Sequence, residues 1–282
     1  MTAIVLYGLR ESLRRKMFAV VLVLTVGFLA LYAWGAHAAF RDTRGFVGPG
    51  NDDLDPDALT GALIEGLAMF ATLFLGAVLS VFLTLNVIRG DAEAGLLQPL
   101  VVRPVGRARL LLARFIGAAG VAAVYVLAVY LATVAIANWA GGWTPDRIVA
   151  PGVELAAAVV VVSALALAGS VFFAPIANGI GTLMLFGAGL IGGLLGEIGS
   201  AINSQRLQHI ARLASWVLPF DALYEDALHR LTIHTTGFAE YVLKLGPFGG
   251  SHQAGTSLLT WSVVYLGLVI AAAIAAFTLR DL

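Results

Sequence analysis

Cysteine is absent from the chain, and lysine occurs only at Lys16 and Lys244. Without cysteine there is no disulfide frame, no thiolate metal site and no cysteine nucleophile. Neither lysine follows a glycine-rich loop, and no G-x-x-x-x-G-K-[ST] segment occurs, so this chain lacks the phosphate cradle of P-loop ATPases. Charge is scarce too. Asp, Glu, Lys and Arg make up 12% of the 282 residues, about half the roughly 25% of a soluble domain. That is too little charge to cover a water-exposed globule, and a 60% hydrophobic content excludes a disordered chain. The class that remains is an integral membrane protein, expected to be all-α and a single domain over 1–282.

A bilayer core of about 30 Å takes about 20 apolar residues in a helix. Six stretches qualify, at about 17–37, 66–88, 110–138, 153–174, 178–196 and 257–279. The third is longer than needed, so it tilts or projects into water. Pro175 has no amide donor and separates the fourth and fifth as a tight helical hairpin. The apolar run after Arg14, Arg15 and Lys16 is too long for a signal-peptide core and reads as a retained span.

An even number of spans puts both termini on one side. With that side cytoplasmic, the inner segments hold ten basic and four acidic residues, net +6, and the outer segments net −6. The positive-inside rule therefore places both termini in the cytoplasm of a multi-pass inner (plasma) membrane protein. Trp34, Trp139, Trp143, Trp216 and Trp261 then fall at or near outer span ends, where indoles sit among headgroups.

The middles of the spans carry no charge, and Glu65 and Glu197 are expected at outer ends. That weakens an ion-coupled carrier, which needs a buried group to hold its ion. The five histidines are scattered over the outer side, and His229 and His234 miss the i, i+4 spacing of two ligands on one helix face. Asp52, Asp53, Asp55 and Asp57 lack the spacing of a calcium loop. No metal site, catalytic constellation or nucleic-acid partner is expected, and the chain reads as a non-enzyme.

Segment 89–114, RGDAEAGLLQPLVVRPVGRARLLLAR, is the one sizeable inner loop. Asp91 and Glu93 suit a helix N-terminus. Leu96, Leu97, Leu100 and Val101 make a short apolar face, and Pro104 stops it. Such a helix enters a partner's groove or lies on lipid. The residues Glu93, Gly95, Leu97, Leu100, Pro104, Arg107, Arg114 and Gly117 fall in step with the coupling segment of ABC-2 type permeases, the membrane subunits of ABC exporters. The chain departs from that pattern at Leu96, Gln98 and Pro99. The resemblance covers the whole chain, including the WVLPFDALYEDAL run of the outer segment 197–256, and is nearest to permeases of copper-site maturation, gliding and drug export.

This resemblance implies a permease that forms a dimer with a second copy or paralogue and docks two ATPase subunits. Those subunits bind ATP and Mg, so no cofactor is expected in this chain. Asp91, Glu93, Gly95, Leu97, Leu100, Pro104 and Arg107 would couple it to them. Residues 2–15 are amphipathic and correspond to an elbow helix. Residues 202–218 repeat that pattern outside, as a lid over an exit or a helix resting on lipid. In the fifth span Gly189/Gly193 and Gly192/Gly196 form overlapping G-x-x-x-G pairs, suited to a helix contact within the chain or between copies. The resemblance favours the dimer interface. A non-transporting scaffold or mechanotransmitter of an ABC complex and, more remotely, an ion-coupled carrier are the alternatives.

Overall fold

The computed structural model describes residues 16–44, 56–84, 106–231 and 255–279. Among these the regular secondary structure is all helix. The helices are α1 Lys16–Arg44, α2 Pro56–Thr84, α3 Arg107–Gly141, α4 Val149–Phe172, α5 Pro175–Ala201, α6 Gln205–Val217, α7 Pro219–Leu231 and α8 Thr256–Leu279. Six of them, α1 to α5 and α8, are long and apolar enough to cross a membrane. They match the six expected spans, but α1 runs on to Arg44 and α2 begins at Pro56, ten residues before the expected Gly66. The elbow segment 2–15, the aspartates 52, 53 and 55, most of 89–114, His234 and the C-terminal residues 280–282 lie outside the described residues.

The bundle is layered by burial. The apolar windows of α2 and α4 are 67% buried, whereas those of α1 and α8 are 22% and 17% buried. The central pair therefore makes the core, and the first and last spans present apolar flanks suited to lipid. The main core joins Met69, Leu73, Val126, Tyr130, Leu155 and Phe220. A second cluster, Leu111, Phe115, Leu167, Val171 and Phe277, closes the bundle where α3 begins and α4 and α8 end. Hydroxyl pairs stitch the helices where apolar packing gains nothing over lipid. Ser163 Oγ donates to Ser80 Oγ at 2.8 Å, and Thr25 Oγ1 and Tyr125 Oη share a hydrogen bond of 2.6 Å.

The α4–α5 hairpin turns at Phe173 and Ala174, both extended. Pro175 is the first residue of α5, where its missing amide costs no hydrogen bond. Asn178 Nδ2 reaches back to donate to the Ala166 carbonyl of α4 at 2.9 Å.

The α5–α6 corner is a left-handed cap. Asn203 takes φ +54°, Ser204 N–H donates to Gly199 O and Asn203 N–H to Ser200 O. That pairing satisfies carbonyls the helix end would otherwise leave open. α6 then folds back along α5. Leu207 packs on Gly199, Ala211 on Gly196 and Ala214 on Gly192, a descending register that makes the two helices antiparallel. Phe220, at the start of α7, reaches Gly189 and stacks on Phe186 with centroids 5.4 Å apart. Gly189 is twelve residues below Ala201, so the α6–α7 tip lies about 18 Å down the helix from its outer end. α7 climbs back to Arg230, beside Glu154 near the start of α4. α6 and α7 thus form a re-entrant hairpin seated in the bundle.

Candidate site: buried acids under a re-entrant hairpin

Six described carboxylates, Glu65, Glu154, Glu197, Asp221, Glu225 and Asp226, gather in three places. Glu65 lies nine residues after α2 begins and is fully buried, with 0% exposure. This corrects its expected place at a span end; the cause is the longer α2. Tyr32 Oη of α1 donates to its Oε2 at 2.8 Å, and Thr133 Oγ1 of α3 contacts its Oε1 at 2.8 Å. One side chain so joins three helices. The Tyr130 hydroxyl beside it is buried with no hydrogen-bond partner among the described residues.

The second gathering is an ion-pair triad. Arg230 Nε lies 2.6 Å from Glu154 Oε1 and donates to Asp226 Oδ2 at 2.8 Å. Asp226 is fully buried. Its hydrogen bond, with the charges of Glu154 and Asp226, pushes the Arg230 pKa up, so the guanidinium stays charged. Helix dipole and sequence agree here, because Arg230 is in the last turn of α7.

The third sits beneath the glycine stripe. A Cβ on Gly193 would meet Glu225 Oε1 at 2.5 Å and Asp221 Oδ2 at 2.6 Å, so the two oxygens are at most about 5 Å apart. Glu197 of α5 and Tyr224 of α7 belong to the same electrostatic neighbourhood. Asp221 Oδ2 and the Tyr224 hydroxyl are buried without a hydrogen-bond partner among the described residues. Burial pushes Asp221 up to about 7, against a hydrogen bond from the Gly193 backbone. Burial, then the charges of Asp221 and Glu197, raise Glu225 well above the usual carboxylate range. Desolvation disfavours each carboxylate, and their mutual repulsion adds to it. No group of His, Asp and Glu among the described residues is arranged to hold a metal ion.

The four glycines expected at a dimer contact are all occupied within the chain. Gly189 faces Phe220, Gly192 faces Ala214, Gly193 faces the two carboxylates and Gly196 faces Ala211. Of the coupling residues, Asp91, Glu93, Gly95, Leu97, Leu100 and Pro104 lie outside the described residues, and Arg107 opens α3. α6 is amphipathic, as expected. Leu207 and Ala214 face α5, and Ile210, Leu213 and Val217 are exposed on another side. Sequence reasoning missed the chemistry of α7. Its signal was present in two i, i+4 pairs, Asp221/Glu225 and Asp226/Arg230, which lie on neighbouring faces of one short helix.

No curated protein matches the chain. The family model described as "ABC-2 family transporter protein" matches residues 2–282. Six apolar helices and a match over nearly the full length agree on a multi-pass membrane permease, and the chain belongs to the ABC-2 family of transporter proteins.

Proposed function

We propose that this chain is the permease subunit of an ATP-driven exporter, working as a dimer and driven by two separate ATPase subunits. The observation that carries the reading is the family match from residue 2 to residue 282. The arrangement of the bundle supports it. α1 and α5 both turn apolar side chains outward, among them Val23 and Val26 on α1 and Ile176, Ile180 and Met184 on α5. A second copy would cover these faces and enclose a path between the two bundles. The glycines that α5 turns toward its own hairpin leave this opposite face as the dimer surface. The scaffold reading differs only in lacking such a path.

Force from the ATPase would enter through segment 89–114, leading directly into α3. Glu93 and Arg107 each offer charge-assisted hydrogen bonds worth about 1.5–3 kcal/mol when a partner shields them. Glu93→Ala and Arg107→Ala should weaken docking by roughly tenfold to a hundredfold, since about 1.4 kcal/mol is a factor of ten. Arg89→Ala, nearer the span end and the headgroups, should do less. Pulling down the ATPase with each purified variant, with ATP hydrolysis measured in lipid, reads this out. Wild-type behaviour in all three variants removes the coupling assignment.

A further inference from the structure

Outside the acid pair, a cleft of about 410 Å³ opens among α5, α6 and α8, lined in part by Ser200, Gln208, Arg212, Ser215 and Glu225. Gly193 forms part of its floor, and the Glu225 and Asp221 oxygens converge on that glycine. The hydrogen-bond economy of the walls is one-sided. Ser200 Oγ donates its proton to Glu197 O at 2.7 Å. Ser215 Oγ donates to Ala211 O at 2.9 Å. Gln208 Nε2 donates to Gly199 O at 3.1 Å. A hydroxyl has a single hydrogen, so both serines show the cleft lone pairs only, and Gln208 keeps its carbonyl oxygen as acceptor beside one remaining N–H. Behind the lining, against Gly193, Asp221 holds a buried oxygen without a hydrogen-bond partner among the described residues, on a side chain only 3% exposed. Against these acceptors the one cationic donor lining the cleft among the described residues is Arg212, which is exposed.

We propose that this cleft binds a small zwitterion, its primary ammonium on Glu225 and Asp221 and its phosphate or carboxylate on Arg212. An ammonium brings the positive charge that lets two crowded carboxyls ionise side by side, and three donors to spread over their oxygens. Arg212 supplies a fork matched to an oxyanion at the mouth. The volume exceeds what a bare ion or a proton needs and admits a headgroup-sized molecule. The same chemistry is offered by a free amino phosphate and by the headgroup of phosphatidylethanolamine. The site is read by binding alone, so it stands or falls separately from the exporter assignment.

The test uses the full chain in nanodiscs of phosphatidylglycerol, titrated with O-phosphoethanolamine. Trp216 follows Ser215 in the cleft wall and packs against Trp261 with centroids 5.5 Å apart, so tryptophan fluorescence reports occupancy. Saturable binding that Glu225→Gln and Arg212→Ala each weaken about tenfold or more establishes a site for free zwitterions. A second arm uses nanodiscs of mixed phosphatidylethanolamine and phosphatidylglycerol and native mass spectrometry. Ethanolamine lipid retained by the wild type and lost in both variants identifies the membrane as the source. Arg212 is exposed, so Arg212→Ala reads the site even if Glu225→Gln does not insert. The proposal is overturned if neither arm shows binding, or if binding is indifferent to Arg212→Ala.

Discussion

Glu65 ties α1, α2 and α3 through two hydroxyl contacts, and its replacement separates hydrogen bonding from charge. In Glu65→Gln the amide oxygen still accepts from Tyr32. The amide nitrogen meets Thr133 Oγ1, which also lies 2.7 Å from the Tyr130 carbonyl and can donate there. In Glu65→Leu the Tyr32 and Thr133 hydroxyls lose this acceptor, at about 1–3 kcal/mol for a buried group left unsatisfied. Thermal melting in detergent should show Glu65→Gln close to wild type and Glu65→Leu clearly less stable; equal melting would deny the contact its role. Asp221 makes a second, pH-dependent case. Its pKa is raised in the folded chain to about 7 by burial, so the folded state holds a proton that the unfolded chain releases near the ordinary value of 3.8. Stability from this group is full below that value and is lost as pH rises through about 7. Glu225, Glu197 and Tyr224 face the same spot, and Glu225 shifts in the same direction. Melts between pH 4 and pH 8 should fall with pH, and Asp221→Asn should flatten the slope. Neither residue's role was legible beforehand. Glu65 sits one position before the expected start of its span, and only the tertiary partners Tyr32 and Thr133, on other helices, show that it is interior.

At the scale of elements, the α6–α7 hairpin depends on close approach to α5. An added side chain at Gly192 would meet Ala214 Cβ at 2.5 Å, whereas nothing lies within 4 Å of Gly187. Overpacking costs about 1–3 kcal/mol. Gly192→Leu should therefore lift the hairpin, and Gly187→Ala should be silent. Leu218 at the tip is 7% exposed, and the chain has no native cysteine. A Leu218→Cys probe should label with maleimide about tenfold faster or more in the Gly192→Leu background; unchanged labelling would falsify the packing. The small-residue stripe was legible as a close-contact surface, but its partner was not. G-x-x-x-G reports how near another helix can come, and carries no information on whether that helix belongs to the same chain. The direction of α6 was equally hidden, because it follows from the left-handed turn at Asn203 and from which apolar residues find glycine opposite.

At the scale of the whole molecule, six spans and their hairpin pairing were legible because lipid imposes length and polarity on each segment independently. Boundaries shifted where helices run past the apolar stretch, as α1 does through Arg41 and Asp42 to Arg44. Orientation is tested by charge. A cysteine at Arg107 should react with a membrane-impermeant maleimide only after cells are opened, and one at the exposed Arg206 should react in intact cells. The reverse pattern inverts the topology and moves the coupling loop outside.

The Glu154–Arg230 pair has a consequence in time. Glu154 belongs to the fourth span, and its cation belongs to α7, about 76 residues later. At about 5–20 residues per second of synthesis, α4 is complete some seconds before Arg230 exists. During that interval a carboxyl-bearing helix has no counter-charge, and its release into lipid is costly. The nascent chain has reason to linger at the insertion machinery until α7 emerges, so a ribosome stalled before Arg230 should leave α4 crosslinked to the translocon.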